Sequence, residues 1–181
     1  MVGFYLSLLD TEEEKSKFEQ LYLKYRQDMY KVAFGILKNE FESEDAVHEA
    51  FMRVIKKLTK ISEINCPQTH AYLIIIVKNI SLKMAEEKNK SVAINIDSVE
   101  SANEFDLEED VISRMEVERI QHILEGLSEN YYDILFLELF MGFSISEIAE
   151  LLDITYDNAK KRLQRAKLKS REILEEFASE K

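Results

Sequence analysis

The stretch FSISEIAELLDITYDNAKKRLQRAKLKSR, residues 143–171, leaves the chain the fewest ways to fold. Ser144 and Glu147 stand three residues apart ahead of an apolar run. That is a capping box, in which the hydroxyl accepts the Glu147 N–H and the carboxylate reaches back to the serine's own N–H. Ile145, Ile148, Ala149 and Leu152 then recur at i, i+3, i+4 and i+7, one stripe of a helix. Asp153-Ile154 marks a turn, and Thr155 stands where a second helix needs an N-cap. That helix keeps Ala159, Leu163 and Ala166 on one side. Its other faces carry Asn158, Lys160, Lys161, Arg162, Gln164, Arg165, Lys167, Lys169 and Arg171. A short capped helix, a tight turn and a basic second helix form a helix-turn-helix, whose second helix fits the DNA major groove. An ordinary helical hairpin with a solvated basic face shows the same local pattern, so the rest of the chain has to decide.

The composition points to helices throughout. With four glycines, one proline and no tryptophan in 181 residues, a turn-rich β fold lacks its punctuation. Apolar residues make up 46%, enough for a core, and the length suits one ordinary domain or two small ones. The opening MVGFYLSLLD meets TEEEK at once and does not read as a signal peptide. The longest apolar run, AYLIIIV at 71–77, is far below transmembrane length, so no membrane insertion is expected and a cytoplasmic location fits. Cys66 is the lone cysteine, and His48, His70 and His122 are scattered, so neither a metal site nor a cofactor is expected. No phosphate-binding loop or Ser/His/Asp constellation appears, and the many carboxylates fall on exposed faces, so the chain does not read as an enzyme.

The formal net charge of −11 opposes DNA binding, but its distribution matters more than its sum. Residues 91–130 hold 11 acids against Arg114 and Arg119, and residues 131–153 hold 5 acids and no base. Residues 154–181 hold 8 bases against 5 acids, so a basic excess falls on the second helix of the motif. A chain this acidic grips free DNA poorly, because it neutralises few phosphates. Either it does not bind DNA, or something larger delivers it there.

Taken in order, Thr11 with Glu14 is another capping box, opening a long amphipathic helix that ends near Asn39. Residues 41–58 read as a second helix, with Ser43 as its cap and Ala46, Val47, Ala50, Phe51, Val54, Ile55 and Leu58 as its stripe. Residues 61–66 read as a loop, and Pro67 suits the first turn of a further helix. The β-branched run at 71–77 is compatible with a buried strand. With helices on both sides and no second strand to pair with, it reads as a buried helix continuing to about Lys88. Asn79 in that context is either a satisfied structural amide or a functional group. Residues 89–111 are small, polar and acidic and read as a tether. Helical pattern resumes near Val111, breaks at 128–130, and returns over an apolar helix, Tyr131–Met141, with Gly142 as its C-cap.

Two separated stretches now resemble one family. DAVHEAFMRV at 45–54 is similar to the helix by which bacterial RNA polymerase sigma factors grip the β′ clamp. LSENYYDILFLELFMGFSISEIAELLDITYDNAKKRLQRAK is similar to their promoter-reading domain, through Leu127, Gly142, Glu147-Ile148-Ala149, Leu151-Leu152 and Arg162-Leu163-Gln164-Arg165-Ala166. AYLIIIVKN at 71–79 aligns with the helix that handles the downstream promoter element. Two domains and a short linker match the minimal, extracytoplasmic-function type.

The resemblance implies an all-α fold of two small helical domains joined by an acidic linker, the second ending in a helix-turn-helix. It places an N-terminal domain at 1–90, the linker at 91–111 and a C-terminal domain at 112–181. The implied function is to direct core RNA polymerase to promoters; the alternative is a sigma-like regulator or adaptor that binds polymerase without melting DNA. Partners implied are core polymerase through its β′ clamp and β flap, promoter DNA, and an anti-sigma factor. Polymerase then supplies the missing phosphate contacts, while Asp97–Asp110 threads a positively charged channel as a nucleic-acid mimic.

The resemblance assigns clamp docking to Asp45, His48, Glu49 and Arg53, with Phe51 in the core. The upstream promoter element falls to Thr155, Tyr156, Asp157, Asn158, Lys160, Lys161, Arg162, Gln164 and Arg165, and the downstream element to Lys78, Asn79, Lys83, Lys88 and Lys90. The chain departs from the family in this last helix, which has no arginine and is interrupted by Glu86-Glu87. A second departure is Asp153, which stands where a glycine is common in the turn.

Overall fold

The structure, a computed structural model, describes residues 2–90 and 126–179, the side chains of 89–90 and 177–179 excepted. All its regular elements are helices, with no strand among the described residues. The chain divides into two compact units, Met1–Ala102 and Asn103–Lys181. The expected linker at 91–111, and the helix expected from Val111 up to residue 125, lie outside the described residues.

In the first unit a short helix α1 (Val2–Leu6) precedes α2 (Glu12–Leu37), α3 (Glu40–Ile55), a single 3-10 turn (Leu58–Lys60) and α4 (Pro67–Lys90). Thr11 caps α2 through the expected box: its Oγ1 accepts the Glu14 N–H at 3.1 Å, and the Glu14 carboxylate accepts the Thr11 N–H at 3.2 Å. Phe18, Leu21, Tyr22, Tyr25, Met29 and Ala33 are buried along one side, spaced by threes and fours. The helix stops at Lys38, which adopts the left-handed conformation with φ 53° and donates its N–H to the Phe34 carbonyl.

Asn39 caps α3, its Oδ1 accepting the Glu42 N–H at 3.0 Å. Ser43, expected to be that cap, lies inside the helix, fully buried, and donates its hydroxyl to the Asn39 carbonyl at 2.5 Å. The reason is local: an asparagine in extended conformation sits one residue ahead of the first helical turn, and Ser43 is already in that turn.

The run at 71–77 is helical. Tyr72, Leu73, Ile76 and Val77 have no exposed surface, because α4 packs against both α2 and α3. Full burial of such side chains contributes about 1.5–3 kcal/mol each, which outweighs the few tenths by which β-branching disfavours a helix. The loop before α4 is pinned from α2 by Tyr25, whose hydroxyl donates to the Ile64 carbonyl at 2.6 Å, and by Lys17, whose ammonium donates to the Ile61 carbonyl.

In the second unit α5 (Glu129–Leu139), α6 (Ile145–Leu152) and α7 (Tyr156–Ser179) pack on one another. Ile134, Leu137, Ile148, Leu151, Ala159, Leu163, Ala166 and Ile173 form their shared core. Residues 128–130, read as a break, are the start of α5, with Ser128 in the N-cap position and its carbonyl accepting the Tyr132 N–H at 3.0 Å. The helix ends at Leu139 with Phe140 as C-cap, earlier than expected. Gly142, two residues on, takes φ +65° and lets the Phe143 N–H turn back to the Leu137 carbonyl at 3.0 Å. Ahead of α5, Gly126 lies against α7: a Cβ there would fall 2.8 Å from Ile173 Cδ1. No helix among the described residues is long and apolar enough to cross a membrane.

Candidate nucleic-acid and polymerase interfaces

The helix-turn-helix forms as its local chemistry dictates. Ser144 accepts the Glu147 N–H at 3.3 Å, and its own N–H reaches the Glu147 carboxylate at 2.9 Å. Asp153 closes α6 in the left-handed region, φ 53° and ψ 51°, and its N–H returns to the Ala149 and Glu150 carbonyls. Aspartate tolerates this conformation better than most residues with a side chain. Thr155 caps α7, its Oγ1 accepting the Asn158 N–H at 3.2 Å. Thr155 therefore acts in the turn as a cap, whatever contact its exposed side also makes.

On α7 the buried set is Ala159, Leu163, Ala166 and Ile173. Tyr156, Asp157, Asn158, Lys160, Lys161, Gln164 and Arg165 are exposed, and Arg162 is half-buried. Lys160, Lys161, Arg162 and Arg165 have no ion-pair partner among the described residues. Farther along, Lys167 pairs with Glu138 of α5 at 2.7 Å and Lys169 with Glu172 at 3.2 Å. The first two turns of α7 thus present cations and amides outward, while the next turn clips the helix to its platform. Such a face offers hydrogen-bond donors to base edges at its start and charge to phosphates along its length.

The face of α4 is built differently. Lys78 is buried, with 9% exposure, and it is engaged within the protein. Asn79 donates its amide to the Ile75 carbonyl one turn back at 2.8 Å, the structural role that its apolar context left open. Lys83 is exposed, and Lys88 reaches Glu42 of α3 at 2.7 Å. Glu86 and Glu87 are exposed between them. The side chain of Lys90 lies outside the described residues.

On α3 Asp45 and Glu49 are exposed, and Arg53 donates to the Glu49 carboxylate at 2.9 Å on the same face. Phe51 points the other way and is fully buried. His48 is half-buried, and its partner is one the sequence reading missed. The Tyr5 hydroxyl of α1 lies 2.7 Å from His48 Nδ1, with ring centroids 5.3 Å apart. Tyr5 itself is 1% exposed among Phe18, Tyr22 and Phe51, and burial pushes its phenol up to about 12. It therefore remains a neutral hydroxyl across the physiological range. The signal available was the apolar run GFYLSLL, too short to show a period. No group of three or more His, Cys, Asp or Glu side chains able to hold a metal ion occurs among the described residues.

These features define a class: an all-α protein with a capped helix-turn-helix whose second helix presents a basic face, preceded in the chain by a unit of four helices with a charged face on α3. Residues 21–90 match sigma-70 region 2, and residues 117–169 match sigma-70 region 4. With both regions present in order over most of its length, the chain belongs to the sigma-70 family and is a promoter-directing sigma factor. That family consists of non-enzymatic transcription factors, and its regions 2 and 4 bind core RNA polymerase and promoter DNA.

Two solved structures align along the chain. One is CnrH in complex with the cytosolic domain of CnrY, at 18% identity and TM-score 0.39, covering 96% of this chain and 94% of that one. The other is the sigma factor RpoE in complex with the anti-sigma factor NepR from Bartonella quintana, at 20% identity and TM-score 0.37, covering 87% and 96%. No curated protein matches the chain by sequence.

Proposed function

We propose that this chain is a minimal sigma factor of the extracytoplasmic-function type, with its work divided between 1–90 and 112–181 across a tether at 91–111. In this reading α7 reads the upstream promoter element, with Asn158, Lys161 and Arg162 near base edges and Lys160, Gln164 and Arg165 along the backbone. The face of α3 bearing Asp45, His48, Glu49 and Arg53 docks on the β′ clamp. The second unit meets the β flap, and α4 contributes Lys83, Lys88 and Lys90 to the downstream element. The observation that supports this most is the set of exposed cations on the first turns of α7, held outward by a doubly capped turn.

Sequencing RNA ends after induced expression should reveal one shared upstream motif, and run-off transcription from it should require core polymerase and this chain together. A scatter of start sites with no common motif would sink the reading. The adaptor alternative draws on α4, where one lysine is buried, another is paired, and two glutamates face solvent. Polymerase binding without promoter opening would favour it. An anti-sigma factor is a further proposed partner; capture of the purified chain by such a protein, competing with core polymerase, tests it.

A further inference from the structure

The match to region 2 begins at residue 21, so α1 lies outside anything the family comparison assigns. Yet α1 is fastened to the middle of the α3 face. Tyr5 is sunk in the aromatic cluster and hydrogen-bonded to His48, with its ring against the imidazole. The bond occupies Nδ1 and leaves Nε2 as the ring nitrogen offered to a partner. Beside it, Phe4 is 53% exposed with its ring centroid 5.9 Å from that of His48. Leu8, just past the helix, is 44% exposed.

An apolar ring held against a half-buried histidine, bordered by Asp45 and Glu49, has the make-up of an interface: an aromatic anchor with a charged rim. The aromatic cluster beneath fixes Tyr5, and the Phe4 ring rests against both Tyr5 and His48, each with centroids 5.9 Å away, which lowers the ordering cost on association. The partner is the one proposed above for the α3 face, core RNA polymerase, because the exposed aromatic is continuous with that face.

We propose that α1 is part of the polymerase-docking surface, with Tyr5 positioning His48 and Phe4 adding an apolar contact beside it. This rests on the reading of α3 as the docking helix.

The test measures affinity of the full-length chain for core polymerase by competition against a labelled wild-type chain. Phe4→Ser alters an exposed side chain and should leave thermal unfolding unchanged while weakening binding about tenfold. Tyr5→Phe keeps the ring and removes only the hydroxyl. It should weaken binding severalfold, and that loss should vanish in a His48→Ala background, because the hydroxyl acts through the imidazole. A merely structural Tyr5 would give equal losses in both backgrounds, which overturns the positioning role. If Asp45→Ala and Glu49→Ala weaken binding while Phe4→Ser and Tyr5→Phe do not, α1 is no part of the surface and the docking reading stands without it. If none of the four matters, the docking reading fails and the proposal with it. Tighter binding by Phe4→Ser would make α1 a cover that polymerase displaces, which also overturns the proposal.

Discussion

The two helices proposed to meet DNA, α4 and α7, use their cations in opposite ways. On α7 the outward lysines and arginines of the first two turns have no ion-pair partner among the described residues, and the tie to the platform comes later, at Lys167. On α4 the protein uses several of its own polar groups: Lys78 is buried, Lys88 bridges to Glu42, and the Asn79 amide is taken by the backbone. The packing explains the contrast. Helix α4 packs against both α2 and α3 and is buried at most positions from 71 to 81, so little of its circumference there remains for a ligand. Helix α7 buries a narrow stripe built around two alanines and a leucine, and leaves a broad face free. On the proposed reading, α7 is prepared within its own fold to meet the upstream element, whereas α4 takes the charge and stacking surfaces for strand capture from polymerase.

The largest expected effect breaks the α7 side of this contrast. Leu163→Ala removes a core side chain from beneath the exposed face and should destabilise the second unit by about 2–5 kcal/mol, read as a lowered unfolding midpoint. Upstream-element recognition should fail with it, while the first unit keeps its helicity. Next, Asn158→Ala and Arg165→Ala should separate base reading from charge. Loss of a base contact should cost about 1–3 kcal/mol at one promoter position, and loss of a phosphate contact should weaken all promoters alike and lower the salt slope by about 1. Holoenzyme binding to a panel of single-base promoter variants at two salt concentrations distinguishes them; a uniform loss for both variants would show that α7 holds DNA without reading it here.

A third change tries to make α4 resemble α7. Replacing Glu86 and Glu87 by lysine should raise open-complex formation severalfold on a weak promoter, followed by permanganate reactivity of the melted strand. No gain would mean that charge on α4 does not limit melting. The smallest effect is expected at Glu42→Gln, which removes the charge that Lys88 pairs with. The pair is partly exposed, so stability should fall by less than about 1 kcal/mol in thermal unfolding. A larger loss would show that Lys88 is a structural tie rather than a residue held ready for DNA.

Much of the fold was legible in the residues themselves. Thr11 with Glu14 and Ser144 with Glu147 announce helix starts because a cap bonds within three residues of itself. Ala159, Leu163 and Ala166 announce the buried side of α7 because helical geometry alone puts them on one stripe. The exposed recognition face followed from the same argument. What failed was finer in grain. Ser43 was read as a cap when Asn39 held that place, since both are good caps and only the backbone conformation separates them. Helix α1 was missed because five residues give no period to read.

The sequence by itself determined where the long helices run, to within a few residues, which side of each is apolar, and that a basic excess falls on the last of them. All these are set by bonds and side-chain spacings within a few residues. Only the tertiary structure decided that Lys78 is buried, that Lys88 is bound to Glu42 46 residues away, and that Tyr5 reaches His48 across 43 residues. Those contacts depend on how helices distant in the chain pack, and no local spacing encodes the packing.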